Sequence, residues 1–277
     1  MDTPLRPQGV ADGVSWFPAR TPTLPPATHT NSYALGTRQV LLVEPATPFD
    51  DERRAWVDWA RGIASQGREL LAIIATHHHP DHVGGAEFLC GELGLPLWAH
   101  AQTAALTGLA VARELSEADE LVLDGPTPQR WRCLHTPGHA PGHVCLHESS
   151  LEVLVVGDMV ASEGTILIDP VDGDLAAYLQ QLERLASFDA RMALPAHGAP
   201  IESPEPLFRH YIAHRLMRER KVAEALDDTP RSIEELLPNV YADTPKLLWP
   251  LAALSLESHL IKLAAEGRAT NRDGWAV

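Results

Sequence analysis

His77-His78-His79-Pro80-Asp81-His82 stands between the apolar run Leu70-Leu71-Ala72-Ile73-Ile74-Ala75-Thr76 and the glycines of Val83-Gly84-Gly85. An apolar strand therefore ends in a loop dense in imidazoles, with one carboxylate among them. Successive side chains alternate in extended backbone, so His77, His79 and Asp81 are expected on one side, with His82 closing over the same cavity from the far side of the turn. Neutral imidazole and carboxylate together suit zinc, iron or manganese. The plain alternative is a histidine-rich surface loop. Residues further along the chain speak against it.

Four more segments stand in order around this loop: Thr30-Asn31-Ser32-Tyr33-Ala34-Leu35-Gly36, then Leu134-His135-Thr136-Pro137-Gly138-His139-Ala140-Pro141-Gly142-His143, then an apolar strand Leu151 to Val156 running into Gly157-Asp158, and finally Leu194-Pro195-Ala196-His197-Gly198. With H-x-H-x-D-H they make five ordered motifs over roughly residues 28 to 200, and the set resembles the metallo-β-lactamase superfamily. One departure is Glu44, where many members carry Asp; it is expected to stand behind a ligand. The resemblance implies two metal sites. His77, His79 and His139 would hold the first metal; Asp81, His82 and His197 would hold the second, with Asp158 bridging both. Chemistry is consistent with that arrangement. Two divalent ions about 3.5–4 Å apart can share a hydroxide, lower its pKa towards neutrality and stabilise an oxyanion. Two carboxylates and a hydroxide then offset four positive charges. Asp81 and Asp158, with that bridging hydroxide, are the expected catalytic groups.

Other histidines near the motifs read as supports. His78 lies between ligands with the opposite side-chain direction, so it is expected to pack beneath the loop. His135 is expected as a strand-end residue bonded to backbone, and His143 as a fixed, buried support of the metal loop. His29, His100, His147, His210, His214 and His259 have no ligand spacing.

At 277 residues the chain exceeds the usual single domain of about 100–200. The expected layout is α/β: a four-layer αββα metallo-β-lactamase sandwich over residues 1–204 and a small winged-helix domain over 205–277. Gln39 to Glu44, Leu70 to Thr76 and Leu151 to Val156 are near-continuous apolar runs, as strands covered on both faces should be. Between the first two, Asp51 to Gln66 carries Trp56, Trp59, Ala60 and Ile63 at helical spacing. Val83 to Leu93 reads as one helix closed by Gly94, and Asp174 as the cap of a helix whose stripe is Leu175, Leu179, Leu182 and Leu185. After Pro204-Glu205-Pro206, a long helix spans Leu207 to Leu226. Ser232-x-x-Glu235 is a capping box for the next helix. A third carries Leu256, Leu260 and Leu263, and Asn271-Arg272-Asp273-Gly274 is the turn of a terminal hairpin.

No stretch approaches the roughly 18–20 uninterrupted apolar residues of a membrane span, and Met1 to Gly13 lacks the pattern of a secretory signal. Cys90, Cys133 and Cys145 show no C-x-x-C spacing and read as free thiols of a reducing compartment. The expectation is a cytoplasmic enzyme without membrane contact, possible also as a homodimer. The layout, together with His214 to Arg220 (H-R-x-x-R-E-R) and Ser162-Glu163-Gly164-Thr165, resembles the mitochondrial β-lactamase-like endoribonucleases, their bacterial relatives and certain fungal polyketide thioesterases. Charge tempers the RNA reading. Of the net −15, residues 1–204 carry −14 and residues 205–277 carry −1, whereas a phosphate-backbone binder presents a basic face. The expected function is a dinuclear, zinc-dependent hydrolase (iron or manganese in its place) of a small ester or thioester, hydroxyacylglutathione-hydrolase-like or acyl-thioesterase-like. The alternative is a single-strand-specific endoribonuclease acting on single-stranded RNA; a β-lactamase and a non-catalytic metal-binding module rank below both.

Overall fold

The computed structural model describes residues 6–272 and 274–277, which fall into two compact units. The first comprises the chain to Thr136, Gly142–Thr165 and Asp189–Pro204; the second comprises Pro137–Pro141, Ile166–Phe188 and Glu205–Val277. Within the first unit, one sheet has seven strands in sequence order: β1 (Gln8–Ala11), β2 (Val14–Arg20), β3 (His29–Leu35), β4 (Gln39–Val43), β5 (Glu69–Ile74), β6 (Leu97–His100) and β7 (Val111–Leu115). Helix α1 (Asp50–Ser65) connects β4 to β5; α2 (Pro80–Val83) and α3 (Ala86–Leu93) connect β5 to β6; α4 (Ala101–Thr107) leads into β7. The other sheet has six strands: β8 (Glu120–Leu123), β9 (Gln129–His135), β10 (Val144–Glu148), β11 (Val153–Gly157), β12 (Met192–Pro195) and β13 (Ile201–Glu202).

The apolar runs are continuous because both faces of their strands are covered. Leu41 and Val43 of β4, with Ala72 and Ile74 of β5, join Trp131, Val144, Val155 and Leu194 of the second sheet in one buried core. Val40, Leu42, Ile73 and Ala75 turn the other way, onto Trp56, Val57, Ala60 and Ile63 of α1 and Leu89 of α3. Burying aliphatic side chains on both faces of a strand stabilises by about 1.5–3 kcal/mol per residue. β4 runs parallel to β5, and β11 parallel to β12. Glu44, His77, Asp158 and His197 thus all lie just past carboxyl ends of parallel strands, where a buried strand holds the neighbouring backbone in place.

Two local expectations change. The loop after β5 is not extended throughout: from Pro80 it is helical, with His82 N–H and Val83 N–H donating to His79 O at 2.9 and 3.1 Å. Asp81 and His82 therefore lie on a helical turn, outside the alternation that pairs His77 with His79. The stretch Val83–Leu93 is likewise not one helix but breaks at Gly84-Gly85. Gly85 N–H donates to Pro45 O at 2.9 Å, and a Cβ on Gly85 would meet Thr47 O at 2.6 Å. A tertiary backbone contact, invisible to local spacing, sets that break.

In the second unit, Asp174 caps α5 (Leu175–Ala186) by accepting from Ala177 N–H at 2.9 Å. Three helices come next: α6 (Glu205–Ala225), α7 (Ile233–Val240) and α8 (Trp249–Ala265), then the hairpin β14 (Thr270–Asn271) and β15 (Trp275–Ala276). The capping box is formed, with Glu235 N–H donating to Ser232 Oγ at 3.3 Å and Ser232 N–H to Glu235 Oε2 at 2.8 Å. Asp273, in the expected hairpin turn, lies outside the described residues. Val222, Leu236, Val240, Leu256, Leu260, Leu263 and Trp275 make this unit's core. Lys246–Ala265 is long and apolar enough to cross a membrane by length and composition alone, although Lys246, Glu257, His259 and Lys262 interrupt it, so no uninterrupted apolar span is present in it. Its apolar stripe, Leu256, Leu260 and Leu263, is nonetheless taken up by the core.

Candidate metal centre

Four candidate ligands of the first unit, His77, His82, Asp158 and His197, are held from behind by a named group. His77, fully buried, has Nδ1 3.0 Å from Thr76 Oγ1, and its Nε2 is 3.0 Å from His79 Nδ1. His82, also fully buried, has Nδ1 3.1 Å from Glu44 Oε1. Glu44 in turn accepts from Thr76 N–H at 3.3 Å and from the Thr76 hydroxyl. With both oxygens committed to Thr76 and His82, this carboxylate supports His82 rather than facing outward. Its backbone has φ of 64°, a strained left-handed value for a residue other than glycine. His197 donates from Nδ1 to His29 O at 3.0 Å. The loop bearing His197 is pinned by Asn31, whose side-chain amide donates to Pro195 O at 2.8 Å and Gly198 O at 2.7 Å. Asp158 N–H donates to Nε2 of the buried His143 at 3.1 Å, while His143 Nδ1 lies 2.8 Å from Thr136 Oγ1.

Asp81, His82 and His197 come together, each offering a ligand atom within one small sphere. His197 Nε2 is 3.3 Å from Asp158 Oδ1 and 3.5 Å from Asp81 Oδ2; His82 Nε2 is 3.7 and 3.8 Å from the same two oxygens. His82 Nε2 is buried and has no hydrogen-bond partner among the described residues. Most of these separations are too long for hydrogen bonds. They match the edges of a tetrahedron around an ion, because donors about 2.0–2.2 Å from it stand roughly 3.4 Å apart. The side chains present therefore fit a divalent cation.

Electrostatics agrees. Burial opposes charge on His82, yet Asp81, Glu44 and Asp158 outweigh it and hold its pKa well above the ordinary imidazole value. Burial likewise opposes charge on Asp158, but His197 and His82 keep its carboxyl well below the usual carboxylate range. His197 is raised despite its burial, chiefly by Asp158. The carboxylates demand positive charge, which a cation supplies more strongly than a proton on imidazole.

His139 stands in the second unit, buried, with Nδ1 donating to Leu167 O at 2.9 Å. That bond puts its lone pair on Nε2. Of the histidines read as supports, His143 is the best anchored. His135 ends β9 with its ring stacked on His100 at 4.3 Å, and the half-buried His78 lies 4.6 Å from the His79 ring. Spacing gave no role to Thr76, Asn31 or the His29 carbonyl, whose bonds to Glu44, to Pro195 and Gly198, and to His197 are distant in sequence.

A two-sheet α/β frame whose parallel strands end in histidines and aspartates defines a metal-dependent hydrolase. The model of the Metallo-beta-lactamase superfamily matches residues 25–197, and that of the Beta-lactamase associated winged helix domain matches residues 232–275. The chain belongs to the metallo-β-lactamase superfamily. Among relatives, it is 29% identical over 255 residues to a Drosophila melanogaster protein named Beta-lactamase-like protein 2 homolog, covering 86% of this chain and 83% of that one. It is 27% identical over 256 residues to the Atrochrysone carboxyl ACP thioesterase of Aspergillus chevalieri, covering 86% and 76%. A solved beta-lactamase domain protein from Burkholderia ambifaria shares the fold with a TM-score of 0.82 and 23% identity, covering 98% of this chain and 94% of that one.

Proposed function

We propose that the chain hydrolyses a small ester or thioester with two divalent cations, zinc first among them. His77, His79 and His139 would hold one, Asp81, His82 and His197 the other, with Asp158 shared. The observation that carries this reading is a set of four donors, in which His82 Nε2 and His197 Nε2 stand 3.3 to 3.8 Å from Asp81 Oδ2 and Asp158 Oδ1. Bound cations supply a hydroxide near neutral pH and an electrophile for the acyl oxygen. The chain's own part is positioning. Glu44 and the His29 carbonyl fix the ring orientations of His82 and His197, and the His143 ring fixes the backbone of Asp158. Asp81 is more open than the groups it gathers with, its side chain 16% exposed against 0–9% for His82, His197 and Asp158. Its second oxygen, Oδ1, would take and release the proton of the attacking water.

Three observations support an acyl substrate over RNA. The chain carries −15. Arg215 and Arg218 are buried: Arg215 donates to Ile166 O, and Arg218 donates to Val240 O at 3.1 Å and Asp243 at 2.7 Å. A relative bears the name of an acyl carrier protein thioesterase. We extend the proposal to a reducing, cytosolic setting, which the cysteines support: none forms a disulfide among the described residues, and burial pushes Cys133 up to about 12 and Cys90 up to about 11, so both stay protonated. The test incubates zinc-loaded protein with acyl thioesters, S-lactoylglutathione and labelled single-stranded RNA. Thiol release that a chelator stops is the expected result. Metal-dependent RNA cleavage without any thiol release would make the endoribonuclease reading primary.

A further inference from the structure

Three consecutive carbonyls, Ile166, Leu167 and Ile168, lie in a stretch without helix or strand. Ile166 and Ile168 are nearly fully buried. Each carbonyl accepts from a side chain that is itself buried: Ile166 O from Arg215 Nη2 on α6, Leu167 O from His139 Nδ1 at 2.9 Å, and Ile168 O from Ser258 Oγ on α8 at 2.6 Å. Buried carbonyls outside regular structure need such donors, since leaving one unmet costs about 1–3 kcal/mol. The middle bond matters differently from its neighbours. A carbonyl can only accept, so it forces the proton onto His139 Nδ1 and leaves Nε2 as the donor atom. The loop carrying His139 is fixed on its other side too: Asp174 N–H donates to Gly138 O at 2.8 Å, and a Cβ on Gly138 would stand 2.3 Å from Tyr178 N.

We propose that Arg215 and Ser258, by clamping the carbonyls on either side of Leu167, hold the acceptor that sets the tautomer and direction of His139. The C-terminal helices α6 and α8 then set the ring of His139, although neither would contribute a ligand. The proposal rests on the reading of His139 as a metal ligand. Arg215 and Ser258 are positioning residues: they act on the ring only through the strap of backbone. Arg215 suits the task because its stem is covered by packing and its guanidinium lies 5.8 Å over the Tyr178 ring, leaving it little freedom. Ser258 Oγ lies 2.6 Å from Ile168 O and 3.1 Å from Leu254 O, and its single proton goes to the nearer carbonyl, that of Ile168.

The test uses the full chain, metal-loaded, with Ser258→Ala, Arg215→Met and Arg215→Lys. Zinc affinity is measured for each of the two equivalents by competition with a chelator, and the His139 ring nitrogens are followed by NMR of histidine-labelled protein. Ser258→Ala removes one hydroxyl and is the mildest change. It is expected to weaken one zinc equivalent by about 10–100-fold and leave the other unchanged, with the His139 ring signals shifting from the Nδ1–H tautomer. Arg215→Met should do the same, and Arg215→Lys, which keeps a donor, should recover part of the loss. Unchanged affinities and unchanged His139 signals in Ser258→Ala and Arg215→Met would overturn the proposal, even if melting temperatures fall, because a merely structural fastening lowers stability alone. His139→Ala separates this from the reading beneath it: if that variant binds both zinc equivalents as tightly as the wild type, His139 is no ligand and both ideas fall.

Discussion

Asp158 has one short carboxylate to share between two imidazoles, at 3.3 Å from His197 and 3.7 Å from His82. Asp81 is already engaged with the same rings at 3.5 and 3.8 Å and Glu44 is committed behind His82, so neither can take its place. Asp158→Ala is therefore expected to lower bound metal from two ions per chain to one or fewer. Turnover should fall by more than the about 100-fold seen when a hydrogen bond behind a ligand is lost. Elemental analysis beside initial rates checks both, and one tightly held metal in a fully active wild type would sink the dinuclear reading. Glu44→Gln asks a finer question. The amide keeps the shape but loses the charge that holds His82 and takes the Thr76 hydroxyl. Zinc affinity should fall by about 10–100-fold, read by chelator competition, while the melting temperature without metal changes little. An unchanged affinity would reduce Glu44 to a packing residue.

At the scale of elements, the site is a set of strand ends, and this is why so much of it could be read from sequence. Leu70 to Ala75 and Val153 to Val156 are apolar throughout, and His77 and Asp158 stand where these buried strands emerge. The capping residues Asp174 and Ser232 and the ordered His and Asp motifs were legible for the same reason: each signal is local. The illegible part depends on contacts distant in sequence. The break at Gly84-Gly85 arises from the backbone of Pro45 and Thr47, the orientation of His197 from the His29 carbonyl, and that of His139 from Leu167. Gly157 illustrates the limit well. The sequence shows only a glycine after an apolar strand, whereas its φ of 48° and a Cβ position 2.5 Å from His143 Nε2 show why no side chain fits. Gly157→Ala should destabilise by about 1–3 kcal/mol, measured as a shift in urea midpoint. It should also release metal, because His143 must move away from the Asp158 N–H. A variant with wild-type stability and metal content would show that this strand end is more yielding than its contacts imply.

Over the whole molecule, acid stability should divide between the metal ligands and one histidine that has nothing to do with metal. His259 on α8 is 1% exposed, and neither ring nitrogen has a hydrogen-bond partner among the described residues. Burial, with Arg215, Lys262, His214 and Arg218 adding positive charge nearby, pushes its pKa down to about 3. In the unfolded chain the same ring titrates near 6.5. Between those values the unfolded state binds the extra proton, so stability rises with pH there. This contribution is fully present above pH 6.5 and is lost as the pH falls towards 3, at up to about 1.4 kcal/mol per unit. Metal ligands also take up protons in acid and release their ions, but that loss is common to the wild type and to a variant at position 259. His259→Leu keeps an apolar body in the pocket and removes the titration. Urea midpoints at pH 7.5, 5.5 and 4.5 should then converge on acidification, the variant losing less stability per unit than the wild type. Parallel losses in the two proteins would assign the acid sensitivity to the ligands alone and leave His259 without a share in it.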